Sequence, residues 1–278
     1  NLIRAAISGD IRRVRELLDR DIDPNIRDND GMTALILASR NGHTDIVRLL
    51  LDRGADPNIR DNIGITALMF ASFMRRTDTV RLLLDRGADP NINTNHGDTA
   101  LIWASEHGHI DIVRLLLDRG ADPYLINNYG DTALIWAASN NNERMVDLLI
   151  EHGANPNIIN VYGDTALRVA SREPHIEIVR LLLGHGADPD IRDNDGTTAL
   201  MEASEDGRTE IVRLLLDRGA DPDIRDNIGM TALTIAERRG NNNIVRLIRD
   251  HINLQRAQQN LAFMSSLNPR LGYDTPIN

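Results

Sequence analysis

One spacing constrains this chain more than any other feature. The string Thr-Ala-Leu begins at Thr33, Thr66, Thr99, Thr132, Thr165, Thr198 and Thr231, a step of 33 residues each time. A second string, Gly-Ala-Asp/Asn-Pro, keeps the same step from Gly54, Gly87, Gly120, Gly153, Gly186 and Gly219. Asp21-Ile22-Asp23-Pro24 fits it one step earlier. Such self-similarity marks a repeat architecture, in which units too small to bury their own apolar face stack and share one continuous core.

Residues 26–58 show what one unit does. Asp28-Asn29-Asp30-Gly31 is a turn signal, with glycine available for positive φ. Thr33 is placed to cap a helix that starts at Ala34, and Asn41-Gly42 ends it. A second helix is expected over 44–53, with Ile46, Val47, Leu49, Leu50 and Leu51 requiring burial on more than one side. Gly54 stops it, and Pro57 forces an extended exit.

These residues resemble the ankyrin repeat, a β-turn finger followed by two antiparallel helices. The resemblance implies an all-α, ankyrin-repeat solenoid stacked as a curved right-handed rod. Seven repeats are essentially complete, and residues 1–25 form a first repeat without a finger. With helices packed at about 8–10 Å, eight repeats predict a rod roughly 80 Å long. The repeat domain is expected over residues 1–252, and 253–278 is expected to supply a capping helix and an extended tail. The chain departs from the family where Thr-Pro-Leu-His becomes Thr-Ala-Leu-Ile or a variant of it, which removes the usual threonine–histidine bonding. In that family the asparagine after the Gly-Ala-Asp segment is a hydroxylation target. Asn58, Asn91 and Asn157 match that position, but proline precedes each where an aliphatic residue is usual.

Composition narrows the function. The net charge of −10 disfavours phosphate backbones, so no nucleic-acid partner is expected. With no cysteine there is neither a disulfide nor a thiolate metal site, which suits the cytoplasm or nucleus. No apolar run approaches the roughly 20 residues that span a bilayer, so no membrane contact is expected. The search for catalysis finds no phosphate-cradling loop and no nucleophile elbow. His107 and His109 lie near Glu106 but lack a further ligand. We therefore expect no enzyme, no cofactor and no metal, but a protein partner, bound by a chain that is monomeric or self-associates.

Repeats serve as an internal alignment. The pair Asp45/Arg48 recurs as Asp78/Arg81, Asp111/Arg114, Glu177/Arg180 and Glu210/Arg213, and inverts to Arg144/Asp147. This describes a solvated outer face held by weak i,i+3 pairs. The positions that differ between copies carry the information. The resemblance puts ligand contacts on the finger tips and the exposed side of the first helix, along a concave face. There the third repeat offers Ile63, Ile65, Met69, Phe73 and Met74. The fourth offers His96, Asp98, Glu106 and His107, and the fifth Tyr129 and Asp131. The sixth offers Tyr162, Asp164, Arg168 and Arg172. An apolar cluster with a polar rim has the character of a binding hot spot. The competing reading packs Met69 and Phe73 between repeats, and Ile63 and Ile65 on neighbouring fingers. Trp103 and Trp136, in the column of Leu37 and Val169, are expected to fill the core, and Glu202 to reach solvent at the groove edge.

After Gly240 a last helix is expected over 243–251, then a separate capping helix over 253–266. Pro269, Gly272 and Pro276 point to an extended tail. All 31 basic residues are arginine. A chain without lysine offers no side chain for ubiquitin attachment. Ankyrin proteins of large DNA viruses and intracellular bacteria, which this chain resembles, include host-interaction adaptors that recruit substrates to ubiquitin ligases. An F-box-like segment after residue 278 would mark that reading. A purely structural, self-assembling solenoid is a third.

Overall fold

The computed structural model describes residues 1–267. The tail over 268–278 lies outside the described residues. Sixteen helices pair along the described chain: α1 (Leu2–Ser8) with α2 (Ile11–Leu18), α3 (Ala34–Asn41) with α4 (Thr44–Asp52), α5 (Ala67–Phe73) with α6 (Thr77–Asp85), α7 (Ala100–Glu106) with α8 (Ile110–Asp118), and α9 (Ala133–Ser139) with α10 (Glu143–Glu151). The pairs continue as α11 (Ala166–Arg172) with α12 (Ile176–Gly184), α13 (Ala199–Glu205) with α14 (Thr209–Asp217), and α15 (Ala232–Arg239) with α16 (Asn242–Leu267). Among the described residues there is no strand, only isolated bridges such as Arg27 with Thr33 at the foot of a finger.

The described chain forms two compact units, residues 1–170 with 177–187, and 171–176 with the described residues from 188. In the first unit the first helices pack in a row, α1 on α3, α5, α7 and α9, and the second helices α2, α4, α6, α8 and α10 form another row beside it. In the second unit α13 packs on α14 and α15, and α16 packs on both α14 and α15.

Each element follows from its sequence. The threonines of Thr-Ala-Leu cap the first helices: Thr33 Oγ1 accepts from Ile36 N at 3.2 Å, and Thr99 Oγ1 from Ile102 N at 3.2 Å. The apolar columns behind them, Leu35, Leu68, Leu101 and Leu134 with Leu50, Leu83, Leu116 and Leu149, are at most 2% exposed and form the shared core. Fingers join by a backbone ladder: Asn62 N donates to Asp30 O at 3.0 Å, Asn95 N to Ile63 O at 2.9 Å, and Asn128 N to His96 O at 2.8 Å.

In several repeats one column of side chains staples a repeat to the one before. His43 Nε2 lies 3.1 Å from Ile7 O, and His109 Nε2 3.1 Å from Phe73 O. Arg76, which replaces histidine in the third repeat, does the same work through Nε to Arg40 O at 3.3 Å. Within the second unit Arg208 Nε reaches Arg172 O at 3.0 Å. These donors reach carbonyls at the end of a first helix, where the backbone leaves acceptors without an intrahelical partner. Just before this column, Arg75 (φ 54) and Asn141 (φ 52) hold the left-handed backbone where Gly42 (φ 77) and Gly108 (φ 73) stand in other copies. An L side chain there costs roughly 1–2 kcal/mol, against about 0.5–1 kcal/mol of chain entropy for glycine. Arg75→Gly is therefore expected to stabilise by about 0.5–1 kcal/mol in chemical denaturation. Asn141→Gly should be near neutral, because asparagine tolerates this region.

The outer face differs from the expectation. The i,i+3 pair closes where the acid is glutamate, at Glu177–Arg180 (3.4 Å) and Glu210–Arg213 (3.9 Å). Asp111 is a methylene shorter and turns instead to Thr77 Oγ1 at 2.9 Å and Arg75 at 3.5 Å. Burial raises its pKa, but those bonds and the Arg75 charge outweigh it and leave the pKa lowered. A pairing between repeats was missed in the sequence: Arg53 with Asp19 (2.8 Å), Arg86 with Asp52 (2.6 Å), and Arg119 with Asp85.

A third column links successive loops. Asn58 Nδ2 donates to Gly87 O at 3.3 Å and its Oδ1 accepts from Asp89 N at 2.8 Å; Asn91 repeats this with Gly120 O and Asp122 N. Asp190 occupies the same column in the second unit. Its Oδ1 accepts from Asp221 N at 2.9 Å, but a carboxylate offers no donor for the Gly219 carbonyl. Burial above all, then Asp188 and Asp221, raise the Asp190 pKa despite that bond. A raised folded pKa stabilises below the unfolded value, near 3.8, and that contribution is lost as pH rises through the folded value. Asp190→Asn is thus expected to add about 1 kcal/mol at pH 7 through the restored hydrogen bond and the removed charge. Urea denaturation should show the gain shrinking as pH falls through the raised folded pKa toward 3.8, where the wild-type carboxyl protonates.

At the end of the chain the expected two helices are one. Neither proline nor glycine occurs between Asn242 and Leu267, so nothing stops α16 at His251. Nor does its second half cover the last repeat as a cap would: Leu254, Leu261, Phe263 and Met264 are each 59–68% exposed.

Candidate partner-binding site

In the first unit the finger ladder lines up Ile63, His96, Tyr129 and Tyr162, one per repeat, at the outer edge of the fingers. Ile63 and Tyr129 are each 53% exposed and Tyr162 is 61% exposed. His96 is exposed as well.

Behind this row the first helices carry an aromatic cluster. Phe73, the last residue of α5, is 39% exposed, and Met74 beside it 41%. The Phe73 ring meets Trp103 edge-on at 5.7 Å and His107 at 4.6 Å. His107 is held by its own helix, with Nδ1 2.9 Å from Trp103 O, and stands 6.0 Å from His109. Glu106 is half-buried, and its backbone oxygen accepts from Asn140 Nδ2 at 2.6 Å.

Trp103 and Trp136 were expected in the core, but both are half-buried and show part of the ring. Leu37, 4% exposed, fills the same place completely; an indole is too large for it and projects outward. Phe70, in that column, is likewise half-buried, with the Arg40 guanidinium 5.8 Å from its ring centre. Comparison of side-chain volume down the column was the signal that would have found these three rings.

Several expected contact residues are not at the surface. Ile65 is 7% and Met69 1% exposed, so these two pack into fingers and core. Arg168 is 1% exposed: it stands where α3, α7 and α9 carry Ile36, Ile102 and Ile135, and its Nη1 lies 3.2 Å from Asp164 Oδ1. Arg172 is drawn into a pair with Glu202 at 3.2 Å in the second unit. Glu202, expected at the groove edge, is half-buried in that pair.

Asp98, Asp131 and Asp164 occupy one place at the foot of successive fingers, each directly before a capping threonine. Asp98 Oδ1 accepts from Asn127 Nδ2 at 2.9 Å, and Asp131 Oδ1 from Asn160 Nδ2 at 2.8 Å. Burial first, then the charges of Asp164 and Asp98, raise the Asp131 pKa against the pull of Asn160. Among the described residues no three metal-ligating side chains converge, and no helix is long and apolar enough to cross a membrane.

A family model described as "Ankyrin repeats (3 copies)" matches the chain over residues 2–94, 62–127, 120–193 and 170–260. Among solved structures the chain is similar to an ankyrin repeat domain from Acinetobacter baumannii AYE, at 35% identity and a TM-score of 0.64, covering 67% of this chain and 98% of that one. Among curated proteins it is similar to ankyrin repeat domain-containing protein 39 of Bos taurus, 51% identical over 39 residues. That match takes in 14% of this chain and about a fifth, 21%, of the relative's length.

Proposed function

The chain belongs to the ankyrin-repeat family, and on that premise we propose that it is a non-enzymatic protein-binding scaffold whose partner docks on the first-helix and finger face of the third to sixth repeats. Ankyrin repeats generally mediate protein–protein interaction. The observation that carries the docking face is the cluster of exposed Phe73, Met74 and His107 around the half-buried Trp103, bordered by Ile63 and Tyr129. Elsewhere in the first unit the repeat-to-repeat constants are taken up by caps, staples and ladders. Here the chain departs from its own pattern, and the departures are large and apolar.

Phe73→Ala, Met74→Ala and Tyr129→Ala made together are expected to weaken the main partner by about 100-fold or more, since hot-spot truncations cost about 2 kcal/mol each. Thermal melting should move by no more than a few degrees, because all three side chains are substantially exposed. The check is affinity purification from the native host with both forms, read by mass spectrometry and by melting. A partner retained by the triple variant removes this surface assignment.

The same purification tests a second reading, recruitment of substrates to a ubiquitin ligase, which the absence of lysine favours. Recovery of cullin-complex subunits with the chain is its expected result, and their absence removes it.

A further inference from the structure

We propose that Asp98 and Asp131 receive a guanidinium or ammonium group from the partner, so that the partner is a protein segment in which a basic residue stands beside an apolar one. This rests on the docking face proposed above and names the chemistry that face selects.

The sixth repeat supplies the precedent. Asp164, in the same place as Asp98 and Asp131, is met by the Arg168 guanidinium at 3.2 Å. The fourth and fifth repeats carry Ile102 and Ile135 where Arg168 stands, and among the described residues Asp98 and Asp131 have no ion pair. One oxygen of each accepts a neutral amide, from Asn127 and Asn160. The other oxygen of each has no hydrogen bond and is not sealed from solvent. Asp131 is 9% exposed and stands between the Asp98 and Asp164 carboxylates, and burial with those charges raises its pKa. Such a group gains most from an incoming cation.

The surroundings fit the stem and face of a basic side chain. Trp103 and Trp136, on the first helices of the same two repeats, show indole surface that accepts a flat guanidinium or an aliphatic stem. Ile63, Phe73 and Met74 provide the apolar neighbour. A chain of net charge −10 steers basic segments toward itself and repels acidic ones.

The test pans the full chain against a displayed random octapeptide library at low salt, then measures synthetic winners by tryptophan fluorescence. Trp103 and Trp136 are the chain's two tryptophans, so the signal comes from this face. Winners are expected to share an arginine or lysine next to an apolar residue. Replacing that residue by neutral citrulline or glutamine should cost at least about tenfold on the wild-type chain and almost nothing on D98N/D131N. Winners without a shared basic position, or an equal loss on both chains, overturn the inference while leaving the docking face intact. Winners that bind the Phe73, Met74, Tyr129 triple variant undiminished overturn the docking face instead. A library that enriches nothing overturns both. A dimer of this chain that D98N/D131N dissolves would place the cation on a second copy and overturn the choice of a foreign segment.

Discussion

Arg168→Met is expected to cost about 3–5 kcal/mol, the usual penalty when one partner of a buried ion pair is removed. Arg168 is 1% exposed and Asp164 9%, so the carboxylate that loses the guanidinium would remain in a largely water-free site. Other repeats show how to repair it. The third repeat carries Ile65 with Met69 in these two places, and the seventh carries Thr197 with Met201. The double change D164I/R168M copies the first pair and D164T/R168M the second. Either should recover stability to within about 1 kcal/mol of wild type, because apolar replacement of a buried pair is often neutral. Urea denaturation of the three variants decides this. Equal losses in the single and double changes would mean that the pair does not govern stability here.

A comparable loss is expected from Gly97→Ala. Gly97 has φ +82, and a Cβ there would lie 2.8 Å from Asn127 Cα and 2.9 Å from Asn128 N. Both obstacles are backbone, and Asn128 N is tied to His96 O at 2.8 Å, so neither yields without breaking the ladder between fingers. The left-handed conformation costs roughly 1–2 kcal/mol and the overpacking another 1–3 kcal/mol, for a total near 3–4 kcal/mol. Gly87→Ala is the control: φ is +85, and nothing lies within 4 Å of the added carbon. It should cost the conformational part alone, about 1–2 kcal/mol. Similar melting losses for the two variants would show that the finger ladder is looser than these contacts require.

The fold was legible because it rests on local rules repeated in register. Thr33 and its counterparts cap, Gly42 terminates its helix, and the apolar columns recur in step, so each repeat confirms the reading of the last. The Gly-His staple was legible as a motif but not as a function, and Arg76 shows why. What the position requires is a donor long enough to reach a carbonyl one repeat back, which arginine and histidine both provide. The site was less legible. Ile65, Met69 and Arg168 vary between copies as contact residues do, yet all three point inward, because exposure at those positions is set by packing against the adjacent repeat. Arg168 misled most: an arginine on an apolar column reads as exposed unless its acid, four residues earlier, is noticed. Trp103 and Trp136 failed in the opposite sense, since the column says core and the indole volume says otherwise. In α16 the break was read from a change of sequence character at 252, although no residue there ends a helix.

On the proposed reading the regular positions are scaffold, and the irregular face of the first unit takes the partner. Hydrogen–deuterium exchange of the full chain, alone and with the purified partner, tests it most directly. New protection is expected over the finger tips at 63, 96 and 129 and the helix ends near 73–74 and 106–107, with α4, α6 and α8 unchanged. Protection confined to the second helices, with the fingers exchanging as in the free chain, would contradict it.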